Sequence, residues 1–471
     1  MVAVANGVPA LFAAGLLADH GARVILVEDP AGCPVRRAGR SMPGRSSYLF
    51  ESEARGTESV VADLTTPAGR ELAERVLHHA DVLLEDLGPG RLEALGLGPA
   101  VLATRRPRLS VVRISPYGQV GPLAGVAGDD RTAQAFSGCA FGTGFPDGLP
   151  QPHRFPMADY WTGLSAANGA ILAVIEAIRS GLGQVVDLAV YETLFRFQEE
   201  MLVQYEQLDR LRPRMGNEYA ESAPANVFPA ADGRWVVCAA ANNKTFRSLC
   251  TAMGTPELAD DPRYVDGTAR VANRVELNAT ISAWSRTLDS PELVRVLNAA
   301  GAPATLIRSF AELVEDPQVV ARRNITTITD PAGEHAVSVP NVVPRLERTP
   351  GRIAGLAPRL GEHAAAVTAE FDRPAPEPTG VPAPRPRCLP LAGVRVLDLG
   401  RFIAAPVTAS LLAEFGAEII RVELPGGAAL TRSRLPLKDD VSLSNLMYQR
   451  GKHAMTLDIR TPEGRDVLLD L

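Results

Sequence analysis

The chain repeats its own beginning. "LLADHGARVILVEDPAG" (Leu16 to Gly32) returns as "LLAEFGAEIIRVELPGG" (Leu411 to Gly427), and "RGTESVVADLTTPAGR" (Arg55 to Arg70) returns as "RGKHAMTLDIRTPEGR" (Arg450 to Arg465). Both pairs stand 395 positions apart (411 − 16 and 450 − 55), so the register runs without a gap from residue 16 to Leu471. Chance similarity does not keep register over such a length, and a repeat of this kind fixes two parts of the chain to one folding plan. The chain therefore reads as one unit of about 370 residues followed by a second, truncated copy of its start.

Between the two lies "FDRPAPEPTGVPAPRPRCLP" (371–390), with seven prolines in twenty residues. Proline fixes φ and lacks an amide hydrogen, so an extended, semi-rigid linker is expected, spanning roughly 60 Å at ~3.1 Å per residue. The second copy opens on an apolar strand, "LAGVRVLDLGRFIAAP", where the first has only "MVAVANGVP". The first strand of the first copy is thus expected to be degenerate.

Strand-like and helix-like segments alternate within the first unit. "RVILVE" is followed by "SVVADL", the helix "TPAGRELAERVLHHA" with Thr66 as cap, the strand "DVLLED", a helical stretch and the strand "RLSVVRIS". Apolar strands separated by amphipathic helices specify an α/β fold with a doubly wound parallel sheet, in which ligands bind at the carboxyl ends of strands. From about Gly216 a turn, a strand, helices and a further strand read as a smaller α+β domain. The expected organisation is a Rossmann-like large domain (1–215), the small domain (216–325), a return segment packing on the large domain (326–370), the linker (371–390) and the truncated copy (391–471).

Composition removes several function classes. A net charge of −6 with no basic block argues against nucleic acid or an anionic membrane as the main partner. Five dispersed cysteines without CxxC spacing indicate neither disulfides nor a zinc site, and point to the cytoplasm. There is no HExxH, GxSxG or Walker pattern, and "GTGFPDG" does not fit GxGxxG. The N-terminal apolar stretch lacks a basic start and runs into a strand, so it is expected to be folded structure and not a signal peptide. No apolar run approaches the ~20 residues of a membrane span.

One acid stands out. Asp159 precedes the long Ala/Gly-rich stretch "YWTGLSAANGAILAVIEAIRS". Taken locally it reads best as a helix cap, because Asp is a favoured N-cap and is stabilised by the partial positive charge there. The small residues Gly163, Ala166, Ala167 and Gly169 allow either tight helix packing or close approach of a ligand.

These stretches together resemble the class III CoA-transferase family, which includes formyl-CoA:oxalate and carnitine CoA-transferases and the α-methylacyl-CoA racemases. The resemblance is carried by "ADVLLEDLGPGRLEALGLGP" (80–99), "RLSVVRISPYGQVGP" (108–122), the Asp159 segment with "SGLGQVVDLAVYETL", "PELADDPRYVDGTARVANRVEL" (256–277) and "APRLGEHAAAV" (357–367). The second copy's "LAGVRVLDLGRFIAAP" and "YQRGKHAMTLDIRTPEGRDVLLDL" look like the start of the same domain. The resemblance implies that Asp159 is a nucleophile attacking an acyl-CoA thioester, with CoA as substrate and no metal. It implies a CoA-binding loop at Asp86, Leu87, Gly88, Pro89 and Gly90 with Arg91 beside it, and a second such loop from Ser115 to Gly118. A nucleophilic carboxylate must be ionised, and the helix N-terminus is expected to lower its pKa. Ala239 to Asn242 is a candidate source of amides for the tetrahedral oxyanions. The family's interlocked dimers imply a homodimer or a pseudo-dimer of the two copies within one chain.

The first copy departs from the family pattern at several basic positions, with Ala94, Ala127 and Asp29 where basic residues are common. Arg91, Arg105 and Arg113 are the candidates to compensate. The second copy keeps Arg401, Arg421, Arg450 and Lys452 but has no counterpart of Asp159. Family racemases carry a "GHD"-like segment because moving an α-proton takes two opposed acid/base groups; here it reads "GDD", Gly128 to Asp130. CoA transfer is therefore the leading expectation, ahead of a non-catalytic supporting half and of a racemase.

Overall fold

The computed structural model describes residues 1–198, 201–330, 332–371, 388–426, 432 and 434–471. The expected proline-rich linker falls at 372–387 outside the described residues. Two compact units are present: Met1–Cys139, Pro152–Phe197 and Asp316–Ala392 form one, and Ala140–Gln151, Gln198–Glu315 and Gly393–Leu471 the other. Two of their borders lie at 197/198 and 315/316, where the sequence suggests 215/216 and 325/326.

The first unit is built on a six-stranded sheet: β1 (Val2–Val4), β2 (Ile25–Glu28), β3 (Glu58–Val61), β4 (Val82–Glu85), β5 (Ser110–Ser115) and β6 (Val185–Ala189). Its spatial order is β3-β2-β1-β4-β5-β6 and every pair is parallel. The short β1 lies at the centre, with Val2 opposite both Ile25 and Leu83. Three residues suffice there because neighbours on both sides bond them, and Val2 and Ala3 are buried. The strands β2, β4 and β5 are buried at every residue, as expected for strands covered on both faces.

The helices of this unit are α1 (Val8–Asp19), α2 (Tyr48–Glu53), α3 (Pro67–His78), α4 (Arg91–Ala94), α5 (Pro99–Arg105), α6 (Asp130–Phe136), α7 (Met157–Ser180) and α8 (Val190–Phe195). Thr66 caps α3 as expected, its hydroxyl accepting the Gly69 amide at 3.1 Å. One core, with Ala10, Leu11, Ala14, Ala166, Ala170 and Val112, joins α1 and α7 to the sheet. The other, with Val60, Val76, Leu77, Leu92 and Leu102, lies under α3 to α5 and includes Val367 and Phe371 from the helix Ala364–Phe371.

The small-residue face of α7 is a packing surface. A Cβ on Gly163 would lie 2.7 Å from the Pro9 carbonyl and 2.8 Å from Phe12, and one on Gly169 would lie 2.9 Å from Val186. With Ala166 and Ala167 buried as well, no ligand has access to this face. At 24 residues α7 has the length and apolarity of a membrane span, which the sequence reading did not anticipate. One face packs against α1, β5 and β6, while Leu164, Ile171 and Ile178 on the other are exposed.

In the second unit, strands Ala225–Pro229, Trp235–Ala239 and Ala304–Leu306 form an antiparallel sheet. Helices Asn243–Ala252, Arg274–Ser285 and Ser290–Ala300 share its core through Phe246, Leu249, Ile281 and Leu297.

A second, three-stranded parallel sheet has pairing like that of β1 to β3. Strands Arg395–Asp398, Glu418–Glu423 and Lys452–Thr456 are parallel in the order of β1, β2 and β3. Leu397 faces Ile420 and Ile420 faces His453, the positions 395 residues beyond Val2, Ile25 and Glu58, which pair the same way. Thr461 caps its helix through the Gly464 amide at 3.0 Å, as Thr66 does through Gly69. A Cβ on either glycine would lie 2.0 Å from a carbonyl, that of Asp63 or of Asp458. Where Gly15 approaches the Glu53 carbonyl too closely for a side chain, Ser410 donates its hydroxyl to the Tyr448 carbonyl at 2.9 Å.

Candidate active site

The sheet order reverses between β1 and β4, so the chain leaves their carboxyl ends in opposite directions, the place where ligands bind on such sheets. Asp86 lies on the loop after β4. Its carboxylate accepts the Asn6 amide at 2.6 Å and the Gly7 amide at 2.7 Å, tying the β4 loop to the start of α1. Burial pushes its pKa up to about 7 against the opposing effect of those two amides. Gly88 and Gly90 both take positive φ, at 93° and 76°, which explains the Gly-Pro-Gly turn before α4. The Leu87 amide donates to Glu85 at 2.8 Å. Arg91 is exposed at the start of α4, with no side-chain partner among the described residues.

The other expected compensating arginines are committed elsewhere. Arg113 is buried and donates to Glu85 at 2.6 Å and to Glu93 at 2.7 Å, so it is not available to a phosphate. Arg105 pairs with Glu74 at the surface. In the β5 loop, Gly118 takes φ 87°, and the buried Ser115 hydroxyl has no hydrogen-bond partner among the described residues.

Asp159 stands at the third position of α7 and does not cap it. The residue before the helix is Pro156, which offers no side-chain acceptor. The capping acid comes from α6: Asp130 Oδ1 accepts the Ala158 amide at 2.8 Å and the Asp159 amide at 3.3 Å. Asp129 caps α6 itself in a reciprocal arrangement with Thr132. The Asp159 carboxyl accepts no hydrogen bond from a described residue, and its pKa is raised to about 7, first by burial and then by Asp130 and Asp129. The expectation of a lowered pKa is therefore reversed: two carboxylates and burial outweigh the helix N-terminus.

The next residue, Tyr160, stacks on Phe155 at 5.0 Å, meets Phe12 edge-on at 4.9 Å and donates to Glu53 at 3.1 Å. Pro9 and Phe12 of α1 thus touch α7 one turn from Asp159, while Gly7 at the head of α1 holds Asp86. The first turn of α1 lies between the Asp86 loop and the Asp159 turn.

In the candidate oxyanion segment two of the four amides, those of Ala239 and Ala240, are already engaged. Ala239 donates to the Pro303 carbonyl and Ala240 to that of Pro224, both at 3.0 Å, and Asn242 caps the helix Asn243–Ala252. A cavity of about 660 Å³ opens at the opposite, amino-terminal edge of the sheet, beside Met1, Arg23, Asp81 and Phe371, away from Asp159. Sequence reasoning read Asp130 only as part of the "GDD" segment and missed the fully buried Gln134, because their partners lie up to 29 residues away and leave no local spacing signal.

A family model described as CoA-transferase family III matches residues 1–364 and again 391–471. The succinyl-CoA–D-citramalate CoA-transferase of Chloroflexus aurantiacus is 39% identical over 354 residues, 75% of this chain and 88% of that one. The β subunit of succinyl-CoA–L-malate CoA-transferase from the same organism is 37% identical over 375 residues, 79% of this chain and 92% of its own. The crystal structure of a CaiB/BaiF family protein from Brucella suis matches with a TM-score of 0.70 and 32% identity, covering 79% of this chain and 97% of that one.

Proposed function

The chain belongs to CoA-transferase family III, and from that premise we propose that it moves CoA from an acyl-CoA to a free carboxylic acid with Asp159 as the nucleophile. The observation that carries the assignment of Asp159 is its unbonded carboxyl at the head of α7, on a turn already capped by another residue. A carboxylate engaged as a cap would have to break bonds before attacking; this one does not.

In the first step the Asp159 carboxylate adds to the thioester carbonyl, and the C–S bond breaks to give an acyl-aspartyl anhydride and CoA thiolate. The thiolate then adds to the aspartyl carbonyl and expels the donor acid, leaving an aspartyl-CoA thioester. The acceptor carboxylate attacks that thioester and releases the thiolate again. Finally the thiolate takes the acceptor's acyl group from the second anhydride and frees Asp159. Each step exchanges one acyl bond for another, so no net hydrolysis occurs. The Asp86–Gly90 loop with Arg91, and Ser115 and Gly118, are the groups proposed to receive CoA. The glycines let backbone approach the ligand, and the Ser115 hydroxyl has a bond to give.

Relatives that use succinyl-CoA with citramalate or malate point to short dicarboxylic acids as substrates. Residues 391–471 are read as the start of a second family domain, supported by the shared strand register. A non-catalytic, supporting role for the first unit is favoured by one observation, the engagement of Arg113 with Glu85 and Glu93. An assay of succinyl-CoA against malate, citramalate and glutarate separates the readings. Transfer by the wild type and its loss in Asp159→Asn supports catalysis here; equal transfer by both supports the supporting role.

A further inference from the structure

The first turn of α7 is held from outside. Asp130 Oδ1 takes the Ala158 and Asp159 amides, and Oδ2 accepts Gln134 Nε2 at 2.7 Å. Gln134 is fully buried; its Oε1 accepts the His153 amide at 2.6 Å and its Nε2 also donates to the His153 carbonyl at 3.2 Å. One network therefore joins α6, the chain entering α7 and the turn that carries Asp159. An aspartate within the first helical turn ordinarily turns back toward the free amides around it. Here those amides are occupied, and the Asp159 carboxyl is left without a donor.

We propose that Asp130 is a positioning residue for the transfer reaction, fixing the first turn of α7 and keeping the Asp159 carboxylate out of its own helix cap. The inference rests on Asp159 being the nucleophile. Asp130 and Asp129 are the charges that bear on Asp159 from α6. On the other elements packed against α7, Arg113 of β5 is tied to Glu85 and Glu93, Asp187 of β6 accepts the Gln119 amide, and Asp19 of α1 is paired with Arg55. On α8, Tyr191 and Glu192 bond one another; on α7 itself Tyr160 bonds Glu53, and Glu176 and Arg179 lie toward its far end.

The test compares Asp130→Ala, Asp130→Asn and Asp159→Asn in the full chain. In Asp130→Ala the expected kcat falls about ten- to hundredfold with KM for succinyl-CoA within about threefold, as misplacement of a reacting group does. Asp130→Asn keeps an acceptor oxygen for the turn but removes a charge. It is expected to recover most of kcat while the acid limb of the kcat/KM profile moves to lower pH by about one unit. Should Asp130→Ala fail to fold, the Asn variant decides through its pH profile. Faster amide exchange of the 157–163 segment in an Asp130 variant supports the proposal without turnover, and equal exchange overturns it. Loss of activity in Asp159→Asn with unaltered kcat and pH profile in both Asp130 variants overturns this proposal alone. Wild-type turnover in Asp159→Asn overturns the nucleophile reading itself.

Discussion

Asp130 accepts the backbone amide of Asp159, so one acid caps the helix and the other rides on it with its carboxyl unbonded. The two acids divide what a single acid at a helix head ordinarily does. The first prediction follows from this division. Replacing Asp159 by Asn removes the nucleophile and leaves the cap in place, so transfer is expected to fall by at least about a thousandfold with the fold intact. Steady-state kinetics and circular dichroism on the same preparation check both halves.

The raised pKa of Asp159 sets a pH dependence. Attack needs the carboxylate, so kcat/KM is expected to rise with pH through about 7 and level off above it. Stability runs the other way. Between about pH 4 and 7 the folded chain retains a proton that the unfolded chain has lost, so the contribution of this group is full below pH 4 and is lost as pH rises through 7. Asp159→Asn removes the charge, and at pH 8 it is expected to be more stable than the wild type by about 1–2 kcal/mol, with a smaller gain at pH 5. Asp86, also raised to about 7, is unchanged in the comparison. Urea unfolding at the two pH values reads the difference.

The contact of α1 with α7 depends on Gly163. A methyl group there meets the Pro9 carbonyl at 2.7 Å, and backbone gives way less readily than a side-chain end. Gly163→Ala is expected to destabilise the first unit by about 1–3 kcal/mol and to lower activity by displacing Asp159, one turn away. Thermal melts beside turnover numbers test it.

Two ion pairs whose residues stand 395 positions apart differ in setting. Arg55 holds Asp19 at 2.6 Å with both side chains buried, whereas Arg450 holds Glu414 at 2.7 Å with both about 40% exposed. Burial pushes the Asp19 pKa up, and Arg55 is the largest opposing influence, ahead of His20. Arg55→Met is therefore expected to cost about 3–5 kcal/mol, and Arg450→Met less than about 1 kcal/mol. Denaturant titration of the two variants makes the comparison.

The parallel sheet was legible because its signals are local: apolar runs bounded by caps such as Thr66. The importance of β1 was not, since a three-residue strand reads as degenerate until its two neighbours are known. Asp159 could be singled out, yet not relieved of its capping role, because the true cap is 28 residues from the Ala158 amide it takes. Arg113 failed as a phosphate partner for the same reason: Glu85 and Glu93 reach it from other elements, 28 and 20 residues away. Charge and spacing along a chain do not reveal which charges neutralise one another across a sheet.

The most direct test of the nucleophile is chemical. The protein is incubated with succinyl-CoA, quenched separately with hydroxylamine and with borohydride, digested and mapped by mass spectrometry. Modification confined to the peptide carrying Asp159, as the hydroxamate or the reduced alcohol, is the predicted result. An unmodified Asp159 in a preparation that transfers CoA would contradict the account.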